Sequence, residues 1–275
     1  MENSNFSQIS FVKVFGERNT GTNFLNQLIN QNTDLSVLNH GDNKIPKKRL
    51  NQIYKHYSFL DKDSPMLRAD KKAASLVLDR LVDQQRKDEY LQNFGWKHAL
   101  VDVENLKVSP RFNETLFVFL IRNPWRFVSA LHRRPHNLFP LQKGSLDDFV
   151  DSSFLANERD RMPCNFVQSP VEFWNIKVES YFNSQSVLRN SFVVYYEDVM
   201  ESPGHFLKSL APYCDVSETL SIPMKSTKGD DKSFDDYQKE TAMYDPLSEL
   251  GETVYFKILG KLNKETLKKT PYMPS

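Results

Sequence analysis

Two cysteines, Cys164 and Cys214, are all the 275-residue chain contains. They stand far apart, with no metal-ligand spacing and no disulfide framework, so a reducing compartment is expected. Long apolar runs are missing too. The longest, Leu116 to Ile121, is far too short to span a bilayer. Charge of one sign is also lacking, because 36 basic residues balance 35 acidic ones at a net +1. That excludes a general nucleic-acid or acidic-membrane surface and makes any anion site local. The polar start MENSNFSQIS lacks the basic-then-apolar order of a secretory signal, and a cytoplasmic location is expected. Glycine is scarce at nine residues, so where two glycines punctuate a short turn they carry information.

What is present is apolar and aromatic. Hydrophobic residues make up 39%, with 20 Phe and 11 Tyr, enough for a large α/β core in one domain spanning 1–275. Strand-like runs occur at Phe11–Phe15, Ala99–Val103, Leu116–Ile121 and Phe192–Tyr196, with helical patterns between them. This order predicts a mostly parallel central sheet flanked by helices. Residues 39–95 read as an excursion that shapes an acceptor pocket. It is polar and aperiodic from Asn39 to Arg68, with Lys44, Lys47, Lys48 and Arg49 clustered, then helical from Leu76 to near Gly95. Helix starts are expected at Ser145-Leu146-Asp147-Asp148 and at Ser169-Pro170-Val171-Glu172.

The segment Phe11–Leu25 reads as strand, turn and helix, with Gly16 and Gly21 at the glycine spacing of a nucleotide P-loop. Backbone N–H groups of such a turn, with the positive end of the next helix, face an anion. An NTPase loop continues with Lys and Ser or Thr, whereas Gly21 is followed by Thr22 and Asn23. The shape is P-loop-like without the NTPase residues. A second segment delivers Arg122 at the end of a buried strand, the ligand-binding end of an open α/β sheet. Asn123-Pro124 follows, then an amphipathic stretch with Ser129. Arginine suits a phosphate because its planar fork donates two parallel hydrogen bonds.

Together with Tyr195-Tyr196-Glu197-Asp198 and the later Pro203, these segments resemble the sulfotransferases that use 3′-phosphoadenosine 5′-phosphosulfate (PAPS). The resemblance covers roughly residues 10–135 and 190–260. It implies that Arg18, Asn19, Thr20, Gly21, Thr22 and Asn23 hold the 5′-phosphosulfate, and that Arg122, Ser129 and Tyr196 serve the nucleotide's 3′-phosphate end. It implies that Lys228-Gly229 closes over that phosphate. Gly95-Trp96-Lys97-His98 resembles the family's Lys-then-His segment, which makes His98 the general base and Lys97, with Arg18, the cations at the sulfonate. The cofactor would be PAPS, leaving as PAP, with no metal. The acceptor would be a small molecule bearing a hydroxyl or amine, such as a natural product. Asp147, Asp148, Glu158 and Asp160 would line its side.

Two positions depart from the family pattern. Asn19 stands where the family carries Lys or Arg, and Ala130 where it carries the phosphate-binding Ser, with Ser129 one residue earlier. One residue turns a helix face by about 100°, so Arg126, Arg133 and Arg134 are further candidates for that phosphate. A P-loop kinase or NTPase with a degenerate loop, and a non-catalytic adenine-nucleotide-binding protein, are the other readings. His132 and His136 are the alternative bases.

Overall fold

A computed structural model describes residues 9–38, 91–135, 138, 144–156, 158–223 and 232–274, with backbone alone for residue 158. The excursion over 39–90, His136 and Lys228-Gly229 lie outside the described residues.

Four strands form a wholly parallel sheet, β1 (Phe11–Gly16), β2 (Ser36–Val37), β3 (Thr115–Ile121) and β6 (Ser191–Tyr195), in the order β2-β1-β3-β6. Strand β1 runs in register with β3, Phe11 opposite Thr115 and Gly16 opposite Leu120. On β3's other side, Phe117 faces Ser191 and Ile121 faces Tyr195. All seven residues of β3 are buried, as a central parallel strand with both faces covered requires. Alternation sorts its side chains into two cores. Leu116, Val118 and Leu120 join Val12, Val14, Leu25, Leu28 and Ile29, beneath α1 (Thr22–Asn32). Phe117, Phe119 and Ile121 join Phe15, Trp125, Phe127, Phe173, Trp174 and Tyr181 on the opposite face. The α/β expectation therefore holds, and no helix among the described residues is long and apolar enough to cross a membrane.

The expected strand Ala99–Val103 does not form. Ala99 N–H donates to the Trp96 carbonyl in a turn (3.0 Å), and Asp102 caps the five-residue α2 (Val103–Lys107) by accepting from Asn105 N–H. A short apolar run beside an Asp favoured the helix start. The two-residue strand β2 is too short to show a period in the sequence.

The anticipated helix starts are realised. In α3 (Pro124–Arg133), Asn123 Oδ1 accepts from Trp125 and Arg126 N–H (3.1 and 3.2 Å), with Pro124 in the first turn. Ser145 and Asp148 close a capping box on α4 (Leu146–Asp151). Strands β4 (Phe154–Leu155) and β5 (Phe166–Val167) pair antiparallel apart from the main sheet. Ser169 caps α5 (Pro170–Val187), the long helix behind β3. Beyond β6 follow α6 (Tyr196–Glu201), α7 (Pro203–Leu210), α8 (Phe234–Ala242), α9 (Pro246–Leu250), α10 (Glu252–Lys261) and α11 (Lys264–Lys268).

Candidate active site

The site gathers at the C-terminal ends of β1, β3 and β6. Strand β1 ends in Gly16, where an added Cβ would come within 2.8 Å of Thr22 Cγ2 and 3.1 Å of the Leu120 carbonyl, so only glycine fits. Thr20 folds the loop back, its N–H and hydroxyl both donating to the Glu17 carbonyl (3.2 and 2.5 Å). Gly21 enters α1 at φ 87°, and a Cβ there would meet the Tyr196 ring at 2.6 Å. Asn19 holds φ 62°, a left-handed conformation that Asn tolerates better than most side chains. Helix α1 starts with no side-chain cap and no acidic residue in its first turn. The positive end of an eleven-residue helix is thus left to the loop.

Lys97 and His98 come to this loop from the far side of the chain. Gly16 N–H donates to the Lys97 carbonyl (2.9 Å), and the Lys97 ammonium donates to Asn23 Oδ1 in the first turn of α1. Burial lowers the Lys97 pKa to about 8, which leaves it mostly charged near neutrality. His98 Nδ1 bonds the Gly16 carbonyl. A carbonyl only accepts, so Nδ1 carries the proton and Nε2 presents a lone pair. Burial, followed by the Arg18 and Lys97 charges, holds the imidazole well below its ordinary pKa and therefore neutral. This is the protonation state and tautomer that a general base needs.

Arg18 lies elsewhere than the resemblance implied. Its fork is bidentate on Asp160 (2.8 and 2.9 Å), with Glu17 Oε2 at 3.2 Å, and it stacks on Trp96 at 4.7 Å. It is 2% exposed and ion-paired with two acids, so its charge is answered inside the fold, although its Nε, like that of Arg122, finds no hydrogen-bond partner among the described residues. Asp160, expected on the acceptor side, is fully buried with it. Asp147 is tied to Lys257 (2.7 Å), and Asp148 is spent on the cap of α4. Of these acids Asp160 is withdrawn into the core, Asp147 and Asp148 stay solvent-accessible, and the side chain of Glu158 is outside the described set.

Beside the loop and Tyr196 lies a cationic cluster. Arg122, at the end of β3, donates to the Asn19 carbonyl and stacks on the Tyr196 ring at 4.6 Å. Arg126, in the first turn of α3, donates to the Glu240 carbonyl (3.3 Å) and stacks on Tyr244 at 4.6 Å. Both arginines are more than nine-tenths buried. Among the described residues neither forms an ion pair, and Arg122 Nε, Arg126 Nη1 and the Tyr244 hydroxyl find no hydrogen-bond partner. Burial and the neighbouring Arg122 charge lower the Arg126 pKa. Orphaned buried donors around two like charges call for an oxyanion. Ser129 is half-buried on α3 one turn after Arg126, on the same face, whereas Ala130 is buried in the core. Glu197 accepts from Asn123 N–H (3.3 Å) and the Tyr272 hydroxyl (2.5 Å), anchoring the turn into α3.

His132, the alternative base, donates from Nε2 to the Gly144 carbonyl (2.9 Å) and packs against Phe149, away from the loop. Sequence reading missed Lys177. It stands on the buried stripe of α5 with Phe173, Trp174, Val178 and Tyr181, and a lysine on an apolar helical face was the available signal.

No family model and no curated protein matches the chain. Among solved structures it is similar to the sulfotransferase domain from the Synechococcus PCC 7002 olefin synthase, at 11% identity and TM-score 0.45, covering 100% of this chain and 99% of that one. It is also similar to the sulfotransferase domain from the curacin biosynthetic pathway, at 13% identity and TM-score 0.40, covering 92% and 97%. At these identities and TM-scores neither likeness decides fold or activity, which rest on the geometry above.

Proposed function

We propose that the protein is a sulfotransferase that moves a sulfonate group from PAPS to a hydroxyl or N–H of a small-molecule acceptor. One observation carries this reading. An uncapped, acid-free helix start and a pair of buried arginines with orphaned donors come together at Tyr196, whose ring packs on Gly21 and under Arg122. A nucleotide bearing an anion at its 5′ end and another at its 3′ position answers both. The kinase reading accounts for the loop's shape but not for Thr22 and Asn23 where its Lys and Ser or Thr would stand.

In this scheme the loop from Thr20 to Asn23 cradles the 5′ anion, and Lys97 supplies the cation that Arg18, bound to Asp160, does not. Arg122, Arg126, Ser129 and the Tyr244 hydroxyl take the 3′-phosphate, with the Tyr196 ring packed against both Gly21 and Arg122 and Lys228-Gly229 as the closing loop. PAPS, when bound, supplies an activated sulfonate and a stable leaving group. His98 Nε2 accepts the acceptor's proton as the new S–O or S–N bond forms, and the Gly16 carbonyl steadies the imidazolium through Nδ1–H. Charge gathering on the leaving oxygen is met by Lys97 and the loop N–H groups. A cytoplasmic metabolite or natural product is the acceptor class.

Incubation with PAPS and a panel of hydroxyl and amine metabolites, read by mass spectrometry for the gain of one SO3, tests the activity. His98→Ala should lower turnover by about 10²–10⁴-fold while PAP affinity and melting temperature hold. Specific activity per folded molecule equal to the wild type would remove His98 from the mechanism. Binding of ATP with Mg²⁺ but not of PAP would favour the kinase, and PAP binding without transfer to any acceptor the non-catalytic reading.

A further inference from the structure

Four charged side chains are buried together behind the loop: Glu17 at 3% exposure, Arg18 at 2%, and Asp160 and Lys177 at 0%. Two acids and two bases cancel in sign, and the contacts are direct. Arg18 forks onto Asp160, and the Lys177 ammonium lies 3.1 Å from Glu17 Oε1 and 3.4 Å from Asp160 Oδ1. Such a set gives no clear stability advantage over apolar side chains of similar volume, because desolvation offsets the attraction. What apolar side chains could not do is donate to backbone carbonyls. Lys177 Nζ donates to the His98 carbonyl (2.5 Å) and the Asp160 carbonyl (3.2 Å), and that same Asp160 carbonyl accepts from Leu100 N–H (2.7 Å). The quartet thus grips the chain at residue 98 and again at residue 100. Glu17 and Arg18 belong to the loop itself, and Lys177 to α5, the rigid helix behind the sheet.

We infer that Lys177 is a positioning residue for His98, and that the buried quartet fixes the spacing between the His98 imidazole and the phosphate-binding loop. The catalytic part of this inference rests on the sulfotransferase reading; the positioning part does not. His98 is then held at two points, by Gly16 at the ring and by Lys177 at the carbonyl. The groups facing it are the Gly16 carbonyl, the Trp96 ring and the cations Arg18, Lys97 and Lys177. Removing Lys177 deletes one of three nearby positive charges and frees the carbonyl, so the imidazole should gain proton affinity and lose its single orientation.

The experiment compares the wild-type protein with Lys177→Met by ¹⁵N NMR of histidine-labelled protein across pH, alongside kinetics. The wild type should show one Nδ1–H tautomer for His98, assigned by its loss in His98→Asn. In Lys177→Met that signal should give way to mixed tautomers titrating at higher pH. Turnover should fall about ten- to hundredfold, the acid limb of its pH profile should move upward, and KM for PAPS should stay within about threefold. If Lys177→Met does not fold, Lys177→Gln removes the same charge and should shift the signal in the same direction. An unchanged tautomer and titration in a folded variant would overturn the inference. Should the wild type prove inactive with PAPS, the imidazole signals still decide the positioning role, and the sulfotransferase reading falls alone.

Discussion

Arg18 and Arg122 are both buried arginines at the ends of neighbouring strands, yet their surroundings differ in one respect. Arg18 has a bidentate carboxylate and a second acid within reach, and its charge is neutralised inside the fold. Arg122 has a backbone carbonyl, an aromatic face and another arginine nearby, and among the described residues no acid forms an ion pair with it, the Glu197 carboxylate being held by Asn123 N–H and the Tyr272 hydroxyl. A buried cation with its counter-charge built in is scaffold. A buried cation without one awaits a counter-charge from outside, because desolvation makes an unpaired charge costly. Burial alone would have ranked the two together, and the partners separate them.

The largest effect should come from breaking the ion-paired side. Arg18→Met leaves Asp160 without its fork, and truncating one partner of a buried pair costs about 3–5 kcal/mol, read as a fall in the denaturant midpoint. Acid should act on the same contact. Arg18 and Lys177 hold the Asp160 carboxyl below its ordinary value of 3.8 against the opposing effect of burial. The stability it contributes is therefore present above that value and lost as the pH falls through the lower folded one. A stability–pH curve should show the loss below 3.8, and Asp160→Asn should flatten it. A midpoint unmoved in Arg18→Met would mean that the pairing is not structural.

Much of this frame was legible in the sequence. Strands β1, β3 and β6 were readable as apolar runs, α4 and α5 by their Ser caps, α3 as an amphipathic stretch, and the loop by two glycines that the structure shows to be sterically required. Arg122 could be placed because a strand end is a local feature. Arg18's fate could not, since Asp160 and Lys177 lie far along the chain and only tertiary folding brings them to it. For the same reason Tyr244, on the segment after α8, gave no sign that it would cover Arg126. The failed strand at Ala99–Val103 shows a cap outweighing a short apolar run.

On the unsatisfied side the expected effect is smaller in stability and larger in binding. Arg122→Ala or Arg126→Ala should leave the melting temperature unchanged or raise it, since each removes one of two repelling buried charges. Each should weaken PAP by roughly ten- to hundredfold, the worth of a charged hydrogen bond at about 1.5–3 kcal/mol. A severe loss of stability in either variant would erase the contrast with Arg18. The smallest effect belongs to Tyr244→Phe, which deletes one orphaned hydroxyl and keeps the ring under Arg126. A loss of about 0.5–1.5 kcal/mol in PAP binding, with stability unchanged, would place that hydroxyl on the phosphate, and no loss would remove it from the site.

The central claim is that the arginine pair exists for a phosphate the protein does not carry in its own side chains. Titration calorimetry without metal, comparing PAP with adenosine 5′-phosphate, tests it most directly, because the two ligands differ only in the 3′-phosphate. PAP should bind with micromolar affinity or better, about −8 kcal/mol. Adenosine 5′-phosphate should bind at least about tenfold more weakly, and Arg122→Ala should bring the two ligands together. Equal affinities for both nucleotides in the wild-type protein would contradict the account.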